Sequence, residues 1–292
     1  QVVFNANAGM KVCVIDSGLD QSNPDFNWGA ITGDNDPGTG NWYENGGPHG
    51  THVAGTIGAA DNNVGVVGMA PGVDMHIIKV FNAEGWGYSS DLAHAANLCS
   101  QAGANIINMS LGGGGSNSTE ANAFADFNAA GGLVVAAAGN DGNNVRSYPA
   151  GYPSVMMIGA NDADNNIADF SQYPSCASGR GKKATEDETI CVEVTAGGVD
   201  TLSTYPAGMA AFASASIDGA GVEVRSQPDC HTDTAVKRRQ PDRPIPVGLH
   251  ADWNPAAHRC VLRRRNGRRP HPQAGPNKTH SPAYPGWHPN NQ

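Results

Sequence analysis

Five short aliphatic runs separated by small-residue segments constrain the fold of this chain more than any other feature. They are "KVCVIDSG" from Lys11, "MHIIKVF" from Met75, "ANIINMSLGG" from Ala104, "GGLVVAAAGN" from Gly131 and "SVMMIGAND" from Ser154. Each is short and apolar enough to be a strand buried on both faces. Between them, residues 50–59, 89–102 and 118–130 read as helices, the second carrying Leu92, Ala95, Ala96, Cys99 and Ala102 on one stripe. Strands alternating with helices of this length predict an α/β fold, a mostly parallel central sheet with helices on both faces. In such a sheet the chemistry gathers at the carboxyl ends of the strands. Asp16, Ser110 and Asn140 each lie at or just past such an end, with a glycine within three residues. The same architecture therefore predicts that they converge.

The 292 residues divide by charge near position 224. Residues 1–224 hold 6 Lys and Arg against 23 Asp and Glu, a net of −17, whereas residues 225–292 hold 12 against 4, a net of +8. The acidic portion reads as a folded core that would repel nucleic acid and attract cations. The basic portion holds 11 of the 19 prolines and 6 of the 10 histidines, with "KRRQPDRPIP" and "LRRRNGRRPHP" as its clearest runs, a composition that predicts little regular structure. No apolar run reaches 18 residues, which argues against a membrane span. The start at Gln1, without a charged and apolar leader, suits a mature product. Six cysteines suit an oxidising compartment and up to three disulfides, although Cys13 and Cys99 sit in apolar segments where free thiols also belong. Cys176 and Cys191 flank a polar 14-residue stretch, so a disulfide is expected to close it.

Asp16 ends a run too apolar to hold an ionised carboxylate without a partner, and a histidine nitrogen is the natural one. Capping of the following turn is the plainer use of an aspartate there. His49 opens "HGTHVAG", whose Gly50, Ala54 and Gly55 let a helix approach the sheet closely. A helix start disfavours imidazolium, which keeps a histidine base neutral. His52, one turn on, reads as a packed neighbour; the pair lacks the HExxH spacing and a third ligand of a zinc site. The Asn140 amide is placed to donate to a developing oxyanion, or to form a turn. Ser110, Leu111 and Gly112 expose backbone beside a slot for a substrate side chain. Gly85, Trp86 and Gly87 offer an edge for an extended peptide, with Trp86 and Tyr88 as apolar contacts.

Taken in order, "VIDSG", "HGTHVAGT", "GVVGMAPG", "SLGG", "AAAGN" and "SYPAGYPSVMMIGAND" resemble the motifs of the subtilisin-type serine proteases, the subtilases, over about residues 9–205. The resemblance implies a three-layer subtilisin-like fold and hydrolysis of peptide and protein substrates by a secreted, monomeric enzyme made as a zymogen with an N-terminal propeptide. Asp16 and His49 are then two members of a triad, and Asn140 is the oxyanion donor. No catalytic cofactor is implied, and neither nucleic acid nor membrane is a partner. Calcium for stability is implied, with Asp25 at a calcium-binding position of subtilisins. From its composition, "DNDPGTGNWYE" offers Asp34, Asp36 and Glu44 as a second candidate set, or an ordinary acidic loop.

The nucleophile is where the resemblance stops. The family's "GTSMA" motif is absent; "YPAGMAAF" has glycine at the serine position, and Ser214 and Ser216 lack the flanking residues. Beyond Val224 the loss of apolar periodicity, with enrichment in Arg, Pro and His, resembles out-of-frame reading of a GC-rich gene. An extra segment beginning near residue 205, a disordered arm, or an inactive peptide-binding relative are the other readings. The expected division is a catalytic core over 1–224 and an unassigned tail over 225–292.

Overall fold

The computed structural model describes residues 9–36, 39–44, 46–81, 89–179 and 181–206. The tail beyond residue 224, Ser214, Ser216, Cys230, Cys260 and the Gly85–Gly87 edge lie outside these residues.

Among the described residues nine strands form: β1 (Lys11–Asp16), β2 (Ile31–Asn35), β3 (Asp74–Lys79), β4 (Ile106–Met109), β5 (Leu133–Ala137), β6 (Met156–Asn161), β7 (Ala177–Ser178), β8 (Thr185–Glu186) and β9 (Val192–Gly197). Seven of them make one sheet in the order β2-β3-β1-β4-β5-β6-β9, with every neighbouring pair parallel. β7 and β8 pair antiparallel as a separate small hairpin. All five aliphatic runs are strands of the large sheet. Three helices follow the expected positions within two residues: α1 (Pro48–Gly58), α2 (Ser89–Gln101) and α3 (Ser118–Ala129).

Alternation along β1 shows how the layers are built. Val12 and Val14 pack on one face with Val53, Ala54 and Ile57 of α1. Cys13 and Ile15 pack on the other with Leu92, Ala95 and Cys99 of α2 and Phe124 and Phe127 of α3. Helices therefore cover both faces, and burying these side chains contributes roughly 1.5–3 kcal/mol each for the larger ones. The Cys13–Cys99 disulfide ties β1 to α2 across one of these layers.

The sheet order reverses at β1. Its neighbour β3 leads out to one edge, and β4, β5, β6 and β9 lead to the other. A crevice opens at the carboxyl end of a strand where the order switches in this way. Asp16 is the last residue of that strand.

Candidate active site

Asp16 is fully buried, and two groups meet its carboxylate. The Ser17 backbone N–H donates to Oδ1 at 2.7 Å, and His49 Nδ1 lies 2.7 Å from Oδ1 and 2.9 Å from Oδ2. An ionised carboxylate only accepts hydrogen bonds, so the proton of the neutral imidazole sits on Nδ1 and Nε2 keeps its lone pair. The His49 side chain is 19% exposed, in contrast to the buried acid behind it. The buried acceptor fixes the tautomer of a part-exposed ring.

Local sequence explains how His49 reaches this place. Pro48 and His49 open α1 after Gly47, with proline in the first turn, where its missing N–H costs nothing. The Gly50 N–H donates to Ser17 Oγ at 3.0 Å, which joins the helix start to the turn that carries Asp16. His52 is buried in the helix layer, as a packed neighbour should be. At Gly55 an added Cβ would collide with the side chains of Thr204 and Ser203. Those two residues donate to the helix carbonyls, Ser203 Oγ to His52 O and Thr204 Oγ1 to Thr51 O, both at 2.6 Å. The chain leaving residue 204 thus starts against the helix that carries His49.

Asn140 lies three residues past β5, and β5 is separated from β1 by β4 alone. Asn140 therefore lies beyond the same carboxyl edge as Asp16, two strands away. Its Oδ1 is buried without a hydrogen-bond partner among the described residues. Gly139 before it has φ +111°, and an added Cβ there would strike the Gln172 side chain, so only glycine permits this turn. Ser110 and Leu111 are buried where β4 ends. An added Cβ on Gly112 would come 3.1 Å from Ser147 Oγ, and the Gly113 N–H donates to Tyr148 O at 2.9 Å. This segment forms a backed rim between the ends of β1 and β5.

The acidic candidates for a cation are directed to separate partners. Asp34 Oδ2 lies 3.2 Å from His76 Nε2, while Glu44 Oε1 accepts from Asn41 at 2.9 Å, a bond that holds the Glu44 pKa below its ordinary value. Asp36 is buried, its pKa pushed up to about 6 by burial, with Asp91 adding to the effect and His94 opposing it. Among the described residues no group of three or more His, Cys, Asp or Glu is gathered to hold a metal ion. Asp25 is different. It is buried, its Oδ2 accepts the Val66 N–H at 2.6 Å, and its carbonyl accepts the Ala60 N–H at 2.8 Å, so the 60–66 loop wraps around it.

A parallel α/β sheet whose switch-point strand ends in a buried carboxylate bonded to an imidazole, with a carboxamide past the end of another strand at the same edge, is a framework on which hydrolase chemistry is built. The comparisons make the class specific. The model of the subtilase family matches residues 7–229. Over 201 residues the chain is 39% identical to subtilisin BL of Lederbergia lenta, covering 68% of this chain and 67% of that protein. It is equally similar to an alkaline protease of Alkalihalobacillus alcalophilus, of which the match covers 48%. Among solved structures, the psychrophilic subtilisin-like protease Apa1 from the Antarctic psychrotroph Pseudoalteromonas sp. AS-11 superposes with a TM-score of 0.60 at 46% identity, covering 68% of this chain and 43% of that one. The chain belongs to the subtilase family.

Proposed function

We propose that this chain is the core of a secreted serine endopeptidase that cleaves peptide bonds through an Asp-His-Ser triad and an acyl-enzyme. The Asp16–His49 pair carries the reading, because a buried acceptor on Nδ1 leaves Nε2 as the base. In the first step a serine hydroxyl gives its proton to His49 Nε2 as its oxygen bonds to the peptide carbonyl carbon. Asp16 stabilises the imidazolium that forms, and the Asn140 amide with a backbone N–H stabilises the oxyanion. His49 then gives the proton to the leaving amine as the C–N bond breaks. Water repeats the two steps on the ester and frees the serine. Peptide and protein substrates would lie between the Gly85–Gly87 edge and the Ser110–Gly112 rim.

Two disulfides among the described residues suit an oxidising compartment, and no helix among those residues is long and apolar enough to cross a membrane. Production as a zymogen with an N-terminal propeptide, and action as a monomer without nucleic-acid or membrane partners, complete the reading. Calcium enters it as a stabilising ion only. The Asp25 carboxylate supplies the oxygen chemistry a hard cation takes, and the subtilase resemblance supports calcium there; Asp34 and Glu44 are each engaged by a separate partner.

The absence of a "GTSMA" sequence favours one second reading, a subtilase-like protein that binds peptides without cleaving them. A fluorophosphonate probe followed by peptide mapping separates the two. A single adduct on a serine beyond residue 206, with loss of peptide hydrolysis, is expected of the enzyme. Retained peptide binding with neither adduct nor cleavage would establish the binding protein instead.

A further inference from the structure

A lysine stands where the sheet meets the Asp16–His49 pair. Lys79 is the last residue of β3, is paired in register with Asp16, and is only 5% exposed. Paired residues on parallel neighbours lie about 4.8 Å apart and point to the same side of the sheet. Lys79 therefore leaves the sheet on the face that α1 covers, as do Met75 and Ile77 before it.

Its stem then runs between two stretches of chain. One is the turn Asp16-Ser17-Gly18, and the other is the approach to α1 that ends Gly46-Gly47-Pro48-His49. A Cβ on Gly18 would lie 3.1 Å from Lys79 Cδ, and one on Gly46 would lie 3.0 Å from Cε and 3.4 Å from Nζ. Both stretches carry glycine where the lysine passes. They are also bonded to each other: the Gly46 N–H donates to Ser17 O at 2.8 Å, and the Leu19 N–H to Trp42 O at 2.9 Å. At the far end Nζ donates to the Glu44 carbonyl at 3.4 Å, and the Lys79 carbonyl accepts from Thr39 Oγ1 at 2.8 Å.

A cation is costly to bury, and an aliphatic side chain would fill the same space without that cost. Burial does hold the Lys79 pKa below its ordinary value, with the Glu44 carboxylate partly offsetting this. Something other than packing must keep a lysine there. Of the two stretches it touches, one begins at the acid and the other ends at the histidine of the site.

We infer that Lys79 is a positioning residue for the proposed reaction: its stem spaces the Asp16 turn from the chain entering α1, and its ammonium anchors the Glu44 end of that chain, so that His49 is held in register with Asp16. The inference rests on the peptidase reading only for its effect on turnover; the His49–Asp16 geometry it explains exists whether or not a serine is present. Misplacement of a catalytic group by about 1 Å can cost on the order of 100-fold in rate.

The test uses the full chain with Lys79→Met, which keeps a thin stem without the charge, and Lys79→Arg, which restores a cation. Folding is checked by circular dichroism. Turnover of a soluble peptide amide is measured together with the low-field NMR resonance of the His49 Nδ1 proton bonded to Asp16. In Lys79→Met, kcat is expected to fall about 30-fold with KM within about twofold, and the resonance to broaden or vanish, as a misplaced reacting group requires. Lys79→Arg is expected to recover at least part of both. A folded Lys79→Met that keeps wild-type kcat and the resonance overturns the inference, as does failure of both Lys79→Met and Lys79→Gln to fold, which would assign the lysine to folding alone. If the wild-type chain shows no turnover, the peptidase reading falls and the resonance alone decides the role of Lys79.

Discussion

Ser203 donates its hydroxyl to the carbonyl of His52 at 2.6 Å, across 151 residues of sequence. The bond, with its neighbour from Thr204 to Thr51, fastens the chain that has just left β9 onto the helix presenting His49. Residues 203 and 204 therefore lie against the helix that carries His49, on the face that α1 covers.

The roles assigned to Asp16 and Asn140 separate by their kinetic signatures. Asp16→Asn leaves a side chain of the same size but forces the wrong tautomer on His49, so kcat should fall by about 10⁴. Asn140→Leu removes an oxyanion donor, and kcat should fall by about 10²–10³ with KM nearly unchanged. Steady-state kinetics on one peptide amide reads both. An Asn140→Leu variant with wild-type kcat would remove Asn140 from the site.

Much of this arrangement is legible in the sequence because its causes are local. β1, β3, β4, β5 and β6 are interior strands, and burial on both faces writes continuous aliphatic runs. The edge strands β2 and β9 carry no such mark: of "ITGDN" only Ile31 is buried, and Val194 in "VEVTAG" is exposed. Asp16 and His49 stand out because polar residues interrupt small and apolar ones. Lys79 does not, since a lysine closing an apolar strand reads as a solvated end until the 40–46 segment is laid over it. The spacing of Asp34, Asp36 and Glu44 likewise suggests a shared cation, but spacing along a chain does not report that His76, one strand away, takes Asp34.

The two disulfides are expected to differ in their contribution. Cys13–Cys99 spans 86 residues and Cys176–Cys191 spans 15. Restriction of the unfolded chain grows with loop length, giving about 4–5 kcal/mol for the first and about 3 kcal/mol for the second. Paired Cys→Ala variants, unfolded in denaturant without reductant, should show the larger loss for Cys13 and Cys99. An equal or reversed order would mean that native packing, not loop closure, dominates.

Calcium at Asp25 makes a prediction that the 34–44 loop does not. Adding calcium to about 100 times its dissociation constant should stabilise the fold by about 2.7 kcal/mol over chelator-treated protein. Asp25→Asn should abolish that increment, while Asp34→Asn and Glu44→Gln should leave it. Calorimetry with the metal content measured in each sample is the check. Identical melting with and without calcium would remove the ion from the account.

Asp36 should make stability depend on pH, through a carboxyl whose own backbone N–H bonds the Lys79 carbonyl. Its folded pKa of about 6 exceeds the ordinary 3.8, so the folded state holds this proton more tightly than the unfolded chain does. The stabilisation from that proton is complete below about pH 3.8 and is lost as pH rises through about 6. Above that, an ionised carboxylate sits buried near Asp91, which raises its cost. Asn at this position keeps the size and removes the titration. Relative to wild type, Asp36→Asn should change stability little near pH 4 and raise it by up to about 3 kcal/mol at pH 7.5, since each pKa unit corresponds to about 1.4 kcal/mol. Denaturant midpoints measured from pH 4 to 8 give the slope. If the difference between the two proteins stays flat across that range, Asp36 does not carry a raised pKa in the folded chain.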